Sequence, residues 1–264
     1  VIPWPAVEDH EGVLWFGTRK GGLFRWDLST DRDLPPPEGW PQPEAETGDR
    51  AAIRPLLVDH TGRVWASVWS EDLGDRLMSH DSGETQTYPR AHEGIPDAWF
   101  KGAVEDREGR IWFGASRGLW VFADGEFESD QKAVYGHGRG LLIDDRDDVW
   151  FRGGTNWHAG VTRWESGDRH RGQLTVFTTL QGLAGNSTND IMEDTEGGIW
   201  VATNAGASRM EPNLTTFRTT DGLFSNEPNL LALDREGRLF YTARDDGFGL
   251  FDGDKFIHYA GFDG

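Results

Sequence analysis

Aromatic and polar side chains that suit sugar recognition are concentrated in Gly-rich loops of this sequence. One such loop, RGGTNWHAG over Arg152–Gly160, places Asn156, Trp157 and His158 beside glycines. The face of a tryptophan stacks on a sugar ring, and amide or imidazole groups hydrogen-bond to its hydroxyls. The loop therefore favours a carbohydrate site, with packing of Trp157 between neighbouring repeats as the alternative interpretation.

Histidine and glutamate residues of the same sequence could instead transfer protons. His137 or His158 could act as a general base near Glu227 in a lyase or hydrolase. Glu227, Asn189 and Asn229 also carry oxygens that Ca²⁺ accepts, but no loop has a recognised ligand spacing. No HxH or HxxxH pair, GxSxG motif or phosphate-binding loop occurs. We predict no cofactor, with Ca²⁺ as the alternative.

These loops belong to a repeat that must position them. An apolar pair, an Asp, a tight turn and then an aromatic residue recur six times, at residues 9–15, 59–65, 106–112, 144–150, 194–200 and 234–240. Asp-x-x-Gly is turn chemistry, because Asp caps the backbone and Gly accepts a positive φ. We therefore interpret the six aspartates as turn formers. The aromatic residue is Trp in five copies and Phe240 in the last, and the five tryptophans are predicted to be core.

Further strands follow each hairpin, for example Gly160–Trp164 and Leu174–Thr178. Four short strands in each 40-odd residues are typical of propeller blades. The prediction is an all-β fold, a six-bladed β-propeller of four-stranded antiparallel blades, in one domain over residues 1–264. The prolines of DRDLPPPEGWPQPEAETGD predict a loop or a poor edge strand in place of a regular outer strand in blade 1. The two chain ends resemble the two halves of one joint between blades, which predicts a closed ring.

In such a fold the joints between blades and the loops after the second strands open on one face. The residues five before each repeat Asp are polar or aromatic and vary between copies, as specialisation of one site at the channel mouth would produce. A solvated rim is the alternative. The predicted ligand site comprises Trp4, Arg19, Arg54, Trp69, Trp99, Lys101, His137, Arg139, Asn156, Trp157, His158, Asn189, Asn229 and Arg244.

Basic residues at this face predict an anionic ligand. Arg54, Lys101 and Arg139 occupy the same position in three consecutive blades, although the chain has 45 acidic and 26 basic residues. A cleft concentrates such a local field, and the planar fork of arginine suits carboxylate and sulfate oxygens. A uronate-containing or sulfated oligosaccharide would fit.

The repeat resembles that of the two-component regulator propeller family. The likeness is carried best by Asp194–Thr203 and by Asp221–Asn226, a joint of the form Asp-Gly-Leu-x-x-Asn that precedes the sixth copy of the repeat. In that family the repeats usually form periplasmic sensor domains of hybrid histidine kinases, which often read oligosaccharides and commonly have more than six blades. The resemblance implies a sensor-type ligand-binding module in the periplasm or outside the cell. Streptogramin lyases carry a related repeat, so a lyase is one alternative, and a protein-interaction scaffold is another.

Composition excludes several partners. The net charge of −19 disfavours nucleic acid and anionic membranes, because both repel an acidic surface. Cysteine is absent, so there are no disulfides and no Cys-bound metals. No apolar run approaches the length of a transmembrane helix. Since the sequence begins Val1-Ile2-Pro3, we expect a processed protein or a domain of a longer parent.

Overall fold

The computed structural model contains six four-stranded antiparallel sheets, each formed by four strands that are consecutive in the chain. We call these sheets blades 1 to 6. The structure describes residues 3–19, 22–41, 52–70, 74–89, 100–115, 118–128, 136–153, 160–165, 173–210, 213–243 and 247–259. The chain divides into two compact units, Val1–Lys132 and Ala133–Gly264, with three blades in each. The prediction of an all-β fold with six four-stranded blades is confirmed.

Unit 1 contains blades 1 to 3. Its strands are β1 (Pro3–Glu8), β2 (Val13–Thr18), β3 (Leu23–Asp27) and β4 (Arg32–Leu34) in blade 1; β5 (Ala52–Val58), β6 (Val64–Ser70), β7 (Gly74–Asp81) and β8 (Glu84–Pro89) in blade 2; and β9 (Phe100–Glu105), β10 (Ile111–Ala115), β11 (Gly118–Ala123) and β12 (Glu126–Glu128) in blade 3.

Unit 2 contains blades 4 to 6. Its strands are β13 (Gly136–Ile143), β14 (Val149–Gly153), β15 (Val161–Glu165) and β16 (Gln173–Phe177) in blade 4; β17 (Thr188–Glu193), β18 (Ile199–Thr203), β19 (Gly206–Met210) and β20 (Thr215–Phe217) in blade 5; and β21 (Pro228–Leu233), β22 (Leu239–Ala243), β23 (Phe248–Phe251) and β24 (Phe256–Tyr259) in blade 6. Two 3₁₀ helices, η1 (Thr179–Gln181) and η2 (Thr219–Asp221), precede blades 5 and 6.

The repeat aspartate closes the first hairpin of each blade with local hydrogen bonds. In blade 2, Asp59 Oδ1 accepts the backbone N–H groups of Thr61 and Arg63, each at 3.0 Å, and Oδ2 accepts the indole N–H of Trp65 at 2.8 Å. The corresponding bonds recur in blades 1, 3, 4 and 5. In these five blades both carboxylate oxygens of the repeat Asp accept hydrogen bonds from its own hairpin, which confirms the interpretation of these residues as turn formers.

The repeat tryptophans form the cores, as predicted. Trp15, Trp65, Trp150 and Trp200 are each at most 2% exposed. An aromatic residue of the fourth strand stacks on three of them, in the pairs Trp65–Tyr88, Trp150–Phe177 and Trp200–Phe217, with ring centroids 5.3 to 5.7 Å apart. Burying these aromatic pairs between neighbouring strands provides the apolar contact that a single hairpin lacks.

Blade 1 obtains its aromatic cover differently. The outer strand β4 ends at Leu34, before the prolines, and has three residues, as do β12 and β20. Blade 1 therefore has an outer strand, a short one, as the poor-edge-strand prediction allowed. Beyond the prolines, Trp40 packs 6.0 Å from Trp15 and donates its indole N–H to Thr85 Oγ1 of blade 2. The predicted ring closure involves residues 1–2 and 260–264, which lie outside the described residues.

Candidate functional site

The first strand of every blade carries a β-bulge or irregularity in its pairing, and in five blades it lies near the beginning of the strand, where the channel-mouth site was predicted. Thr188 pairs with Thr203 and Asp190 with Ala202, which leaves Asn189 as the extra residue of β17. The extra residue of β9 is Lys101 in the same way. The irregular segments of β1, β13 and β21 include Trp4, Arg139 and Asn229 respectively.

Blade 2 departs from this pattern. Its extra residue is Leu56, whereas Arg54 lies in regular pairing with Ser67. Arg54 is 8% exposed, Lys101 and Asn189 are half-buried, and Asn229 is exposed. Of the six positions that lie five residues before a repeat Asp, five are therefore in bulges. The exception is Arg54 of blade 2, whose side chain is largely buried.

In unit 2 the bulged strands of blades 5 and 6 are tied together. Asn189 Nδ2 donates to the carbonyl oxygen of Pro228 at 2.8 Å, and the backbone N–H of Leu231 donates to Asp190 Oδ2 at 2.9 Å. Between these two bonds lie Asn229 and Leu230, both exposed. The bonds fix the position of an exposed amide beside an exposed apolar side chain, an arrangement suited to a ligand with both polar and apolar faces.

Asp190 is a residue that the sequence reasoning missed. Burial raises its pKa, while the N–H groups of Leu231 and Ile191 and the charge of Arg152 act in the opposite direction. A signal was present in the sequence: the residues four before the repeat Asp are Pro, Pro, Gly, Gly, Asp and Leu in blades 1 to 6. Asp190 is the charged member of that set.

The remaining predicted residues fall in several places. Arg19 is exposed, Trp69 is half-buried at the end of β6 and pairs with Ala52, and Glu227 is exposed before β21. Trp4, His137 and Arg139 lie in β1 and β13. Trp99, Asn156, Trp157, His158 and Arg244 lie outside the described residues. Within the described residues no group of three or more His, Asp or Glu side chains is arranged to hold a metal ion.

Comparison with known proteins assigns the repeat and the fold. Residues 182–205 match the family described as two component regulator propeller, as the motifs predicted. No curated protein sequence matches the chain. Among the described residues, no helix is both long and apolar enough to cross a membrane.

Solved structures match over nearly the whole chain. The extracellular domain of a putative hybrid two component system from B. thetaiotaomicron is 17% identical, with a TM-score of 0.71 over 97% of this chain. The chain spans 33% of that protein. Virginiamycin B lyase from Staphylococcus aureus is also 17% identical, with a TM-score of 0.68 over 98% of this chain and 84% of the lyase. PorZ of Porphyromonas gingivalis has a TM-score of 0.68 at 15% identity, covering 97% of this chain and 39% of PorZ. At these identities the likeness establishes the β-propeller fold.

Proposed function

We propose that the chain is a sensor-type ligand-binding propeller module, and that an oligosaccharide binds at the bulged ends of its first strands. The observation that carries the proposal is the bulge itself, which recurs in all six blades. A bulge re-aims a side chain and interrupts pairing, and bulges are over-represented beside active sites. In five of the six blades they coincide with the positions that vary in chemistry from blade to blade.

The residues at these positions suit sugar hydroxyls. In unit 2, the exposed amide of Asn229 can donate and accept hydrogen bonds. Asp190 bonds to the backbone of Leu231, two residues after Asn229, and interacts with the charge of Arg152. In unit 1, Lys101 supplies a positive charge, which supports the anionic ligand predicted from the sequence. The exposed Leu230 offers apolar contact to a pyranose face.

A location outside the cytoplasm is part of this proposal. It is supported by the match to the two component regulator propeller repeat and by the extracellular position of the similar domain from B. thetaiotaomicron. The similar domain belongs to a longer protein, and we expect this chain likewise to act with other domains.

Isothermal titration with a uronate-containing oligosaccharide and its neutral counterpart, at two salt concentrations, tests the proposal. We expect Lys101→Ala to weaken the charged ligand more than the neutral one, and Asn229→Ala to weaken both. Higher salt should weaken the charged ligand, because exposed charges are screened beyond about 8–10 Å. Arg235→Ala, an exposed change in the turn of blade 6, is the control. Equal binding by every variant would contradict the proposal.

The same ligands separate the alternatives. Turnover of a ligand, lost in His137→Ala or His158→Ala, would favour the lyase or hydrolase. A protein that binds this chain and is displaced by none of the oligosaccharides would favour the protein-interaction scaffold.

A further inference from the structure

A cavity of about 450 Å³ lies between blades 5 and 6, beside their Asp turns and away from the bulged strand ends. Its charged lining residues are Asp194, Glu196 and Arg209 of blade 5 and Glu236, Arg238 and Asp252 of blade 6. This volume falls within the range of about 300–1,000 Å³ for small-molecule sites. The proposed oligosaccharide site does not use these residues.

Ion pairs order both walls of the cavity. Arg209 donates from Nε to Asp194 Oδ2 at 2.6 Å and from Nη2 to Glu196 Oε2 at 2.9 Å. On the other wall, Arg238 donates to Asp234 Oδ2 at 2.6 Å and to Glu236 Oε2 at 3.3 Å. Four lining carboxylates face two guanidinium groups, so the cavity is acidic overall.

The carboxylates of Asp194 and Asp252 stay ionised at neutral pH, because the pKa of each is lowered. Burial raises the pKa of Asp194, but hydrogen bonds from Arg209, Gly198 and Trp200 outweigh it and leave that pKa lowered. Backbone N–H groups of Lys255 and Asp254 lower the pKa of Asp252. A carboxylate has about four acceptor positions, so one arginine does not exhaust those of Glu196 or Glu236.

The floor of the cavity is aromatic. Phe217 and Phe251 line it with ring centroids 5.7 Å apart, both half-buried, and Trp200 and Leu239 also line it. Aromatic faces attract cations and also cover an alkyl chain. The floor and the acidic walls together match a cation carried on an apolar stem.

The corresponding interface between blades 2 and 3 is filled. There Tyr88 takes the place of Phe217 and Phe122 that of Phe251, and they are 5% and 8% exposed. Ala123 stands where blade 6 has Asp252. Across the turns, Glu105 accepts the backbone N–H of His60 at 2.7 Å and also binds its imidazole. At the equivalent positions in blades 5 and 6 are Thr195 and Leu233, which form no such bridge.

We propose that the cavity between blades 5 and 6 binds a small organic cation, a guanidinium or primary ammonium group on an apolar stem. The carboxylates of Glu196, Glu236 and Asp252 hold the charge, and Phe217 and Phe251 contact the stem. This site is separate from the oligosaccharide site, and neither proposal depends on the other.

The test is titration of the whole chain with n-butylguanidinium, with n-butylurea as a neutral ligand of the same shape. We expect the cation to bind more tightly, and Asp252→Ala and Glu236→Gln each to weaken it about three- to fivefold, as loss of an exposed charge contact predicts. Asp252→Ala gives blade 6 the residue that blade 3 has at this position. Glu108→Gln is the matched control, because Glu108 occupies the turn position of Glu236 in blade 3 and pairs with Arg110.

Three results would overturn the proposal: no binding of n-butylguanidinium, equal binding of n-butylurea, or an equal loss in Glu108→Gln. Thermal melting of each variant guards against misfolding, and Glu236→Gln, which keeps the side-chain shape, remains informative if Asp252→Ala disturbs its turn. A tripeptide Gly-Arg-Gly amide presents the same group on a peptide. If it binds while free n-butylguanidinium does not, the ligand is a peptide side chain and the small-cation proposal fails.

Discussion

The interface between blades 2 and 3 and the interface between blades 5 and 6 use the same repeat positions with opposite results. In the first, Trp65, Phe113 and Tyr88 are buried and the turns are bridged by His60 and Glu105. In the second, the phenylalanines are half-buried and the turns carry exposed ion pairs around a cavity. One repeat can therefore build either a closed core or an open site, depending on a few residues at the blade edges. The following predictions test this difference, beginning with the largest effect.

Trp65→Ala should lower the free energy of unfolding more than Trp200→Ala. Trp65 is fully buried among Tyr88, Phe113 and Phe122, so its removal should cost about 3–5 kcal/mol. Trp200 already adjoins the cavity, so neighbouring rings can relax into the space and the loss should be smaller. Urea unfolding of both variants measures this. Equal losses would show that the two interfaces are equally well packed.

Arg110→Ala should destabilise the protein far more than Arg238→Ala. Both arginines donate Nε to the repeat Asp at 2.6 Å, but the side chain of Arg110 is 10% exposed and that of Arg238 is 47% exposed. Removing Arg110 leaves the fully buried carboxylate of Asp106 without this partner, which costs about 3 kcal/mol. Solvent can replace Arg238. Urea unfolding again provides the measurement, and similar losses would contradict the distinction.

The arginine of blade 5 should be replaceable by one from the position used in blade 3. Trp200 has Arg209 opposite it on the next strand, whereas Trp112 has Val121 there and Arg110, four residues after Asp106, donates Nε to that Asp. A Cβ on Gly198 would lie 2.6 Å from Arg209 Cζ, so the two sources exclude each other. Arg209→Ser should cost about 1–2 kcal/mol through the lost hydrogen bonds to Asp194 and Glu196.

Adding Gly198→Arg to Arg209→Ser should then recover part of that loss, while Gly198→Arg alone should be destabilising. The thermal melting temperatures of the two single variants and the double variant form the required cycle. Purely additive effects would argue against a shared position for the two guanidinium groups.

The bridge between blades 2 and 3 should make a small contribution that depends on pH. A hydrogen bond and the charge of Glu105 raise the pKa of His60 above its ordinary 6.5. The folded state therefore holds this proton more tightly, so the contribution is complete below pH 6.5 and is lost as pH rises through the folded pKa. The melting temperatures of the native protein and His60→Gln should differ most in acid and converge in alkali. A constant difference would exclude the ion pair as its cause.

The backbone positions of the candidate site could be predicted in part, whereas its ligand-binding role stays a prediction. The aligned positions five before each repeat Asp could be identified because the repeat is periodic, and five of the six lie in bulges. Arg54 differs because blade 2 places its bulge at Leu56 instead. Asp190 was missed because its burial depends on β21 of the next blade, about forty residues away, through its bond with Leu231.

The sequence by itself determined the six hairpins and their turns. The bonds that make them join residues two, four and six positions apart, so the pattern Asp-x-x-Gly-x-x-Trp contains all the necessary groups. Tertiary structure decided which arginine reaches the repeat Asp in blades 3, 5 and 6, how Trp40 covers blade 1, and which interface between blades stays open. Those outcomes depend on side chains from different strands and different blades that compete for the same space, and their fit appears once the strands are packed together.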